Sequence, residues 1–253
     1  MKTMKKEMSI FTALFICAVL TFSAAGVRAE AVSMSEAWID WETLSITGDI
    51  TWSTQNSQSH AYVEDATDWD EDYQTESGWV DTSAFASIGV PLYHVYGSAY
   101  TSNFYIDEEV YALANETTAM WTHADASAER WGIFTANSSG LVTFSADYGL
   151  WQDLLTDYVG EWASGYAEAG LWLVNFDTSG ENYARPALEN EVWDGDSITD
   201  SDDGTLTVAV WFDAGNSGQF HAWAYNDADV EVPEPATICL LGLGALSLLR
   251  RKR

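Results

Sequence analysis

The chain has 253 residues, of which 39 are acidic and ten basic, giving a formal charge of −29; 47% are hydrophobic and 14% aromatic, including 13 Trp. The acid excess repels nucleic acid and anionic surfaces and so excludes them as partners. The aromatic content excludes an acidic disordered chain, which is poor in such residues.

At the N-terminus, Lys2, Lys5 and Lys6 precede an apolar run from Ile10 to Phe22 and then Ser23, Ala24, Ala25 and Gly26. That is the order of a secretory signal peptide. Val27-Arg28-Ala29 offers small or modest side chains to a signal peptidase, so cleavage is expected between Ala29 and Glu30, with Ala25 as the second position. Cys17 sits inside the apolar run after Phe15 and Ile16, which argues against a lipoprotein anchor. Residues 1–29 are read as a signal peptide, with the export machinery and signal peptidase as its partners.

From Glu30 onward period-two alternation recurs, whereas long helical periodicity does not. Leu44 and Ile46, then Ile50 and Trp52, flank Gly48-Asp49 as if across a hairpin turn. The acidic stretch from Glu64 to Asp72 reads as a loop. Ala124, Ala126 and Ala128, and later Ala163, Gly165, Ala167 and Ala169, put small residues on one strand face, as close sheet packing requires. Val142, Phe144, Ala146 and Tyr148 alternate, as do Leu206, Val208, Val210 and Phe212, and then Phe220, Ala222 and Ala224. Leu150 to Leu155 offers a helical turn or two as the alternative. Gly215 to Gly218 looks like a second hairpin turn, and Asn175 to Asp203 like a long loop. Short strands between Gly, Asn, Asp and Ser predict an all-β fold: one antiparallel β-sandwich, jelly-roll-like, over residues 30–231.

Chemistry is sparse along this stretch. Asp194, Asp196, Asp200, Asp202 and Asp203 form the densest carboxylate cluster, with Gly and Ser between them. Calcium takes six to eight oxygens and is the ion such a cluster would hold, although the spacing is not that of an EF-hand; a solvated loop is the plainer reading. Asp68, Asp70, Glu71 and Asp72 are a second, weaker candidate. His60, His94, His123 and His221 lack the i, i+4 pairing of a helical zinc site and read as ordinary strand or loop residues. No nucleophile elbow or phosphate loop occurs, so no catalytic residue is assigned. Thirteen tryptophans from Trp38 to Trp223 exceed what one core readily hides; a two-faced sandwich can cover them, and exposed ones would stack on sugar rings.

The C-terminus reads Val232-Pro233-Glu234-Pro235-Ala236, then an apolar stretch from Thr237 to Leu249, then Arg250, Arg251, Lys252 and Arg253. This tripartite end, residues 232–253, resembles the PEP-CTERM sorting signal of bacterial exosortase substrates. The apolar stretch of about fourteen residues reaches ~21 Å as a helix, against a hydrocarbon core of ~30 Å. Snorkelling arginines and a small-residue face at Gly242, Gly244 and Ala245 suit it to pairing with a membrane partner as a helix over about 236–249. The basic stop places its end in the cytoplasm. The resemblance implies exosortase as that partner, an integral membrane protein proposed to be a cysteine transpeptidase, cutting near Pro233-Glu234-Pro235 and passing the domain outward. On this reading the chain is substrate and not enzyme.

Eight of the ten Lys and Arg lie before Glu30 or after Leu249, leaving Arg130 and Arg185; of the 39 acids only Glu7 and Glu234 lie in those ends, leaving 37 and a formal charge of −35 for the exported part. Cys17 and Cys239 also fall outside it, so it forms no internal disulfide, and about 200 residues bury enough core without one. The expected function is a non-catalytic cell-surface or matrix protein that binds extracellular polysaccharide, the usual setting of the family it resembles. The alternatives are a secreted carbohydrate-active hydrolase and a calcium-dependent adhesion module.

Overall fold

The computed structural model describes residues 30–89, 95–115 and 121–233. The signal peptide, His94, Glu234, Pro235, the apolar stretch and the basic stop lie outside them. The described residues form thirteen strands and no helix: β1 Glu30–Thr47, β2 Ile50–Asp65, β3 Trp69–Ser77, β4 Thr82–Ile88, β5 Val95–Thr101, β6 Tyr105–Asn115, β7 Trp121–Ala136, β8 Gly140–Thr156, β9 Trp162–Asn175, β10 Glu181–Ala184, β11 Ala187–Trp193, β12 Ser197–Phe212 and β13 Ser217–Glu231.

Two antiparallel sheets result. The first has the order β12-β8-β1-β6-β5-β4, the second β10-β9-β13-β7-β2-β3, with β11 also on β9. Alternation builds each inner face. Along β7 every even residue from Thr122 to Ala136 points inward and every odd one outward, and β13 repeats this from Gly218 to Val230. One half of the core is lined by alanine, including Ala124, Ala126, Ala128, Ala163, Ala167 and Ala228. Small side chains let the backbones approach. The Ser33 hydroxyl on β1 accordingly reaches the Ser164 carbonyl of the opposite sheet at 2.6 Å. The other half is aromatic: Phe144 stacks on Phe220 with centroids 4.0 Å apart, and Trp79 meets Trp41 and Trp52 edge-on at 5.1 and 4.7 Å.

Four expectations are corrected. Gly48-Asp49 does not close a hairpin, because β1 pairs with β6 and β8 in the first sheet while β2 pairs with β3 and β7 in the second. Gly215 to Gly218 likewise carries the chain from β12 to β13 across the sandwich. Alternation tells which residues face inward but not which sheet a strand joins. Asn175 to Asp203 is mostly strand, holding β10, β11 and the start of β12. The acidic stretch from Glu64 to Asp72 is the end of β2, a tight turn and the start of β3.

That acidic stretch closes one edge of the sandwich. Asp70 and Asp72 each turn a carboxylate oxygen toward β4 and accept the amides of Ser87 and Phe85 at 3.0 and 3.1 Å, and Gln74 accepts that of Ser83 at 2.9 Å. At the far edge Asn175 and Asn182 donate to the Trp211 and Ala209 carbonyls of β12 at 2.9 and 3.3 Å. Edge strands otherwise present a ladder to any passing strand.

Candidate functional site

The outward residues of β9, β13, β7, β2 and β3 align into rows across the second sheet. The registers place Glu168, Tyr225, Ser127, His60 and Tyr73 in one row and Tyr166, Asp227, Asp125, Tyr62 and Glu71 in the next. To one side lies Trp172–His221–Trp131–Asn56, and to the other Asp229–His123–Glu64–Trp69. All three described histidines thus share one face with carboxylates and aromatic rings.

A shallow groove of about 530 Å³ opens over β7, β9 and β13, lined by Glu129, Glu168, Trp172, Arg185, His221 and Trp223 among others. Its floor follows from a missing side chain. Trp223 lies opposite Gly170, where a Cβ would come within 2.1 Å of the indole, so the ring packs directly against the backbone there and lines the groove. The indole N–H donates to Glu168 Oε1 at 2.6 Å. Arg185 Nε donates to Glu168 Oε2 at 2.6 Å, and the Tyr166 hydroxyl donates to the same oxygen. Both carboxylate oxygens are therefore occupied, and Arg185, the exposed member of the two Arg residues in the described part, is neutralised by its partner. His221 Nε2 meets Glu129 at 3.1 Å, and its ring lies 5.1 Å from Trp223.

Beside the groove, His123 bridges Asp229 at 3.0 Å through Nδ1 and Asp125 at 3.2 Å through Nε2. Burial disfavours its charged form, but these two hydrogen bonds, with the charges of Asp229 and Asp227, outweigh it and push the imidazole up to about 10. The Asp227 carboxyl is raised by burial and by Asp229, with His123 opposing. His60 continues the chain, 3.1 Å from Glu71 and 3.8 Å from Asp125. The donor atoms of His123, Asp227 and Asp229 converge enough to hold a cation.

The aspartates singled out in the sequence fall elsewhere. Asp194 and Asp196 flank Gly195 in a turn, where Asp194 Oδ1 accepts the Gly160 amide at 2.6 Å. Asp200 and Asp202 point to one side of β12 and Asp203 to the other. Asp202 accepts the Tyr148 hydroxyl at 2.7 Å, and Asp200 lies 3.3 Å from the Asn190 amide. Of the sorting residues only Pro233 is described, seated against Gly160 directly after the buried Val232. Ala29 lies outside the described residues, and Glu30 begins β1. None of the thirteen tryptophans is fully buried, and Trp69, Trp193 and Trp211 are exposed. Sequence reasoning missed Glu168, His123, Asp227 and Asp229; the signal for Asp227 and Asp229 was the complement of the inward run Phe220, Ala222, Ala224 on β13, that for His123 the complement of Ala124, Ala126, Ala128 on β7, and that for Glu168 the complement of Ala163, Gly165, Ala167, Ala169 on β9.

Residues 231–253 match the family model of the PEP-CTERM protein-sorting motif. The chain carries that sorting motif at its C-terminus, which implies export and membrane anchoring there. No curated protein matches the chain. Two solved structures are similar at low level: vicilin from Corylus avellana (hazelnut), 6% identical, over 78% of this chain and 70% of that one, with a TM-score of 0.12; and a mutant VP2 protein of infectious bursal disease virus, 8% identical, over 83% and 79%, with a TM-score of 0.09. These scores assign no fold.

Proposed function

We propose that this is an exported, exosortase-processed surface protein whose second sheet binds neutral extracellular polysaccharide without cleaving it. The observation that carries the reading is Trp223, packed against Gly170 and fixed by Glu168 at the floor of an open groove. An indole lining such a groove is a stacking platform for the apolar face of a sugar ring. Trp172, Tyr225 and His221 flank it, and Glu129 faces the groove as an acceptor for sugar hydroxyls. Glu168 acts as a brace, since both its oxygens already accept hydrogen bonds, and the neutralised Arg185 leaves no free positive charge for an anionic polymer. The frequent crossings between sheets, as at β1 to β2 and β12 to β13, support a jelly-roll-like reading of the frame.

Affinity electrophoresis of wild type and Trp223→Ala through gels containing neutral polysaccharides tests this. Retardation of the wild type is expected, with a loss of about tenfold in affinity for the variant, the size of one well-placed anchor of ~1.4 kcal/mol. Equal retardation of the two, or release of reducing ends by the wild type, would refute the proposal.

A further inference from the structure

One pole of the sandwich gathers both ends of the described domain, Glu30 and Pro233. The registers Ala31↔Thr156, Trp162↔Glu231, Trp162↔Trp193 and Thr122↔Asp65 bring the start of β1, the end of β13 and the turns after β2, β8 and β11 together. The turn after β8 projects apolar side chains from this pole: Val159 is 78% exposed and Tyr158 43%, with Trp193 at 52% beside them. Its shape is held by several bonds. Glu161 accepts the amides of Asp157 and Tyr158 at 2.6 and 2.9 Å, Asp194 accepts that of Gly160, and the Thr156 hydroxyl accepts those of Gly195 and Asp196 at 3.0 and 3.1 Å. A turn so firmly built that nonetheless holds valine and tyrosine in water marks a contact surface.

Its occupant follows from where the chain goes. Pro233 rests on Gly160 of the same turn. In the sequence only Glu234, Pro235 and Ala236 separate it from the apolar stretch beginning at Thr237. At ~3.3 Å per residue the tip is tethered within ~13 Å of that stretch, which is headgroup distance for an anchored protein. Trp and Tyr favour that layer. Asp157, Asp194, Asp196 and Glu231 surround the tip and repel anionic lipid.

We propose that Tyr158, Val159 and Trp193 form a rim that seats the anchored domain, this pole downward, on a zwitterionic headgroup layer. The proposal rests on the anchoring implied by the sorting motif. It is tested with the full chain in phosphatidylcholine vesicles, on a Cys17→Ser, Cys239→Ser background, carrying an environment-sensitive fluorophore at Val159→Cys or, at the opposite pole, at Gly215→Cys. Nitroxide-headgroup lipid should quench the label at 159 about threefold more than that at 215. The difference should shrink in phosphatidylglycerol vesicles and vanish when Tyr158→Ser and Trp193→Ser are added. A chain that does not float with vesicles overturns the anchoring and the rim together. A chain that floats with both labels equally quenched overturns the rim alone.

Discussion

Arg130 is a buried cation with no carboxylate in salt-bridge contact among the described residues. It is fully buried on β7, its Cζ lies 4.9 Å over the Trp41 ring, and Nη2 reaches the Val80 carbonyl at 3.4 Å. Nε and Nη1 have no partner among the described residues. Burial pushes its pKa down to about 10 against the pull of Asp81, so it stays charged at neutral pH at a cost to the fold. Arg130→Met, similar in length and uncharged, is expected to leave the urea midpoint unchanged or raise it, whereas Trp41→Ala should cost about 3 kcal/mol by opening the aromatic half of the core. His123 works in the opposite sense. The folded protein holds its proton more tightly than the unfolded chain, so its contribution is complete below the ordinary 6.5 and is lost as pH climbs toward about 10. In His123→Gln that slope in stability between pH 6.5 and 10 should flatten, as thermal unfolding across the range would record.

At the level of elements the edges carry the specificity. Replacing Asp70 and Asp72 by alanine takes away the acceptors for the Ser87 and Phe85 amides and exposes β4 to pairing with another chain. The double variant should self-associate at concentrations where the wild type sediments as one species. This edge also shows where the sequence was opaque. β8, β12 and β13 were legible because one apolar face makes their alternation plain. β3, WDEDYQTES, has no apolar face to show: its even residues cap β4 and its odd ones meet solvent, so a true strand reads as an acidic loop. The site was half legible in the same way. Outward positions 221, 223, 225, 227 and 229 were implied by the inward set on β13, but the union of Glu168 with Trp223 and of His123 with Asp229 depends on register, which alternation does not supply.

For the whole molecule, charge sets the pH response. Burial raises the Glu36, Asp107, Glu108, Glu161 and Asp227 carboxyls, and like charges add to it at Glu36 from Asp107 and at Asp107 from Glu109. A carboxyl raised in the folded state binds its proton more tightly there, so the fold loses stability as pH rises through the raised value. The melting temperature should therefore increase on going from pH 8 to pH 5, and added sodium chloride should raise it more at pH 8, where more repulsion is left to screen. One placement has a mechanical side. β13 runs through the middle of its sheet, paired along its length with β7 and β9, supplies the floor of the groove at Trp223 and leads straight to Pro233. If the groove holds a polymer as proposed, a tug on it would reach the tail along a single strand loaded in shear. Its ladder bonds on both sides resist together instead of opening one at a time, and under flow the polymer should let go before the domain does.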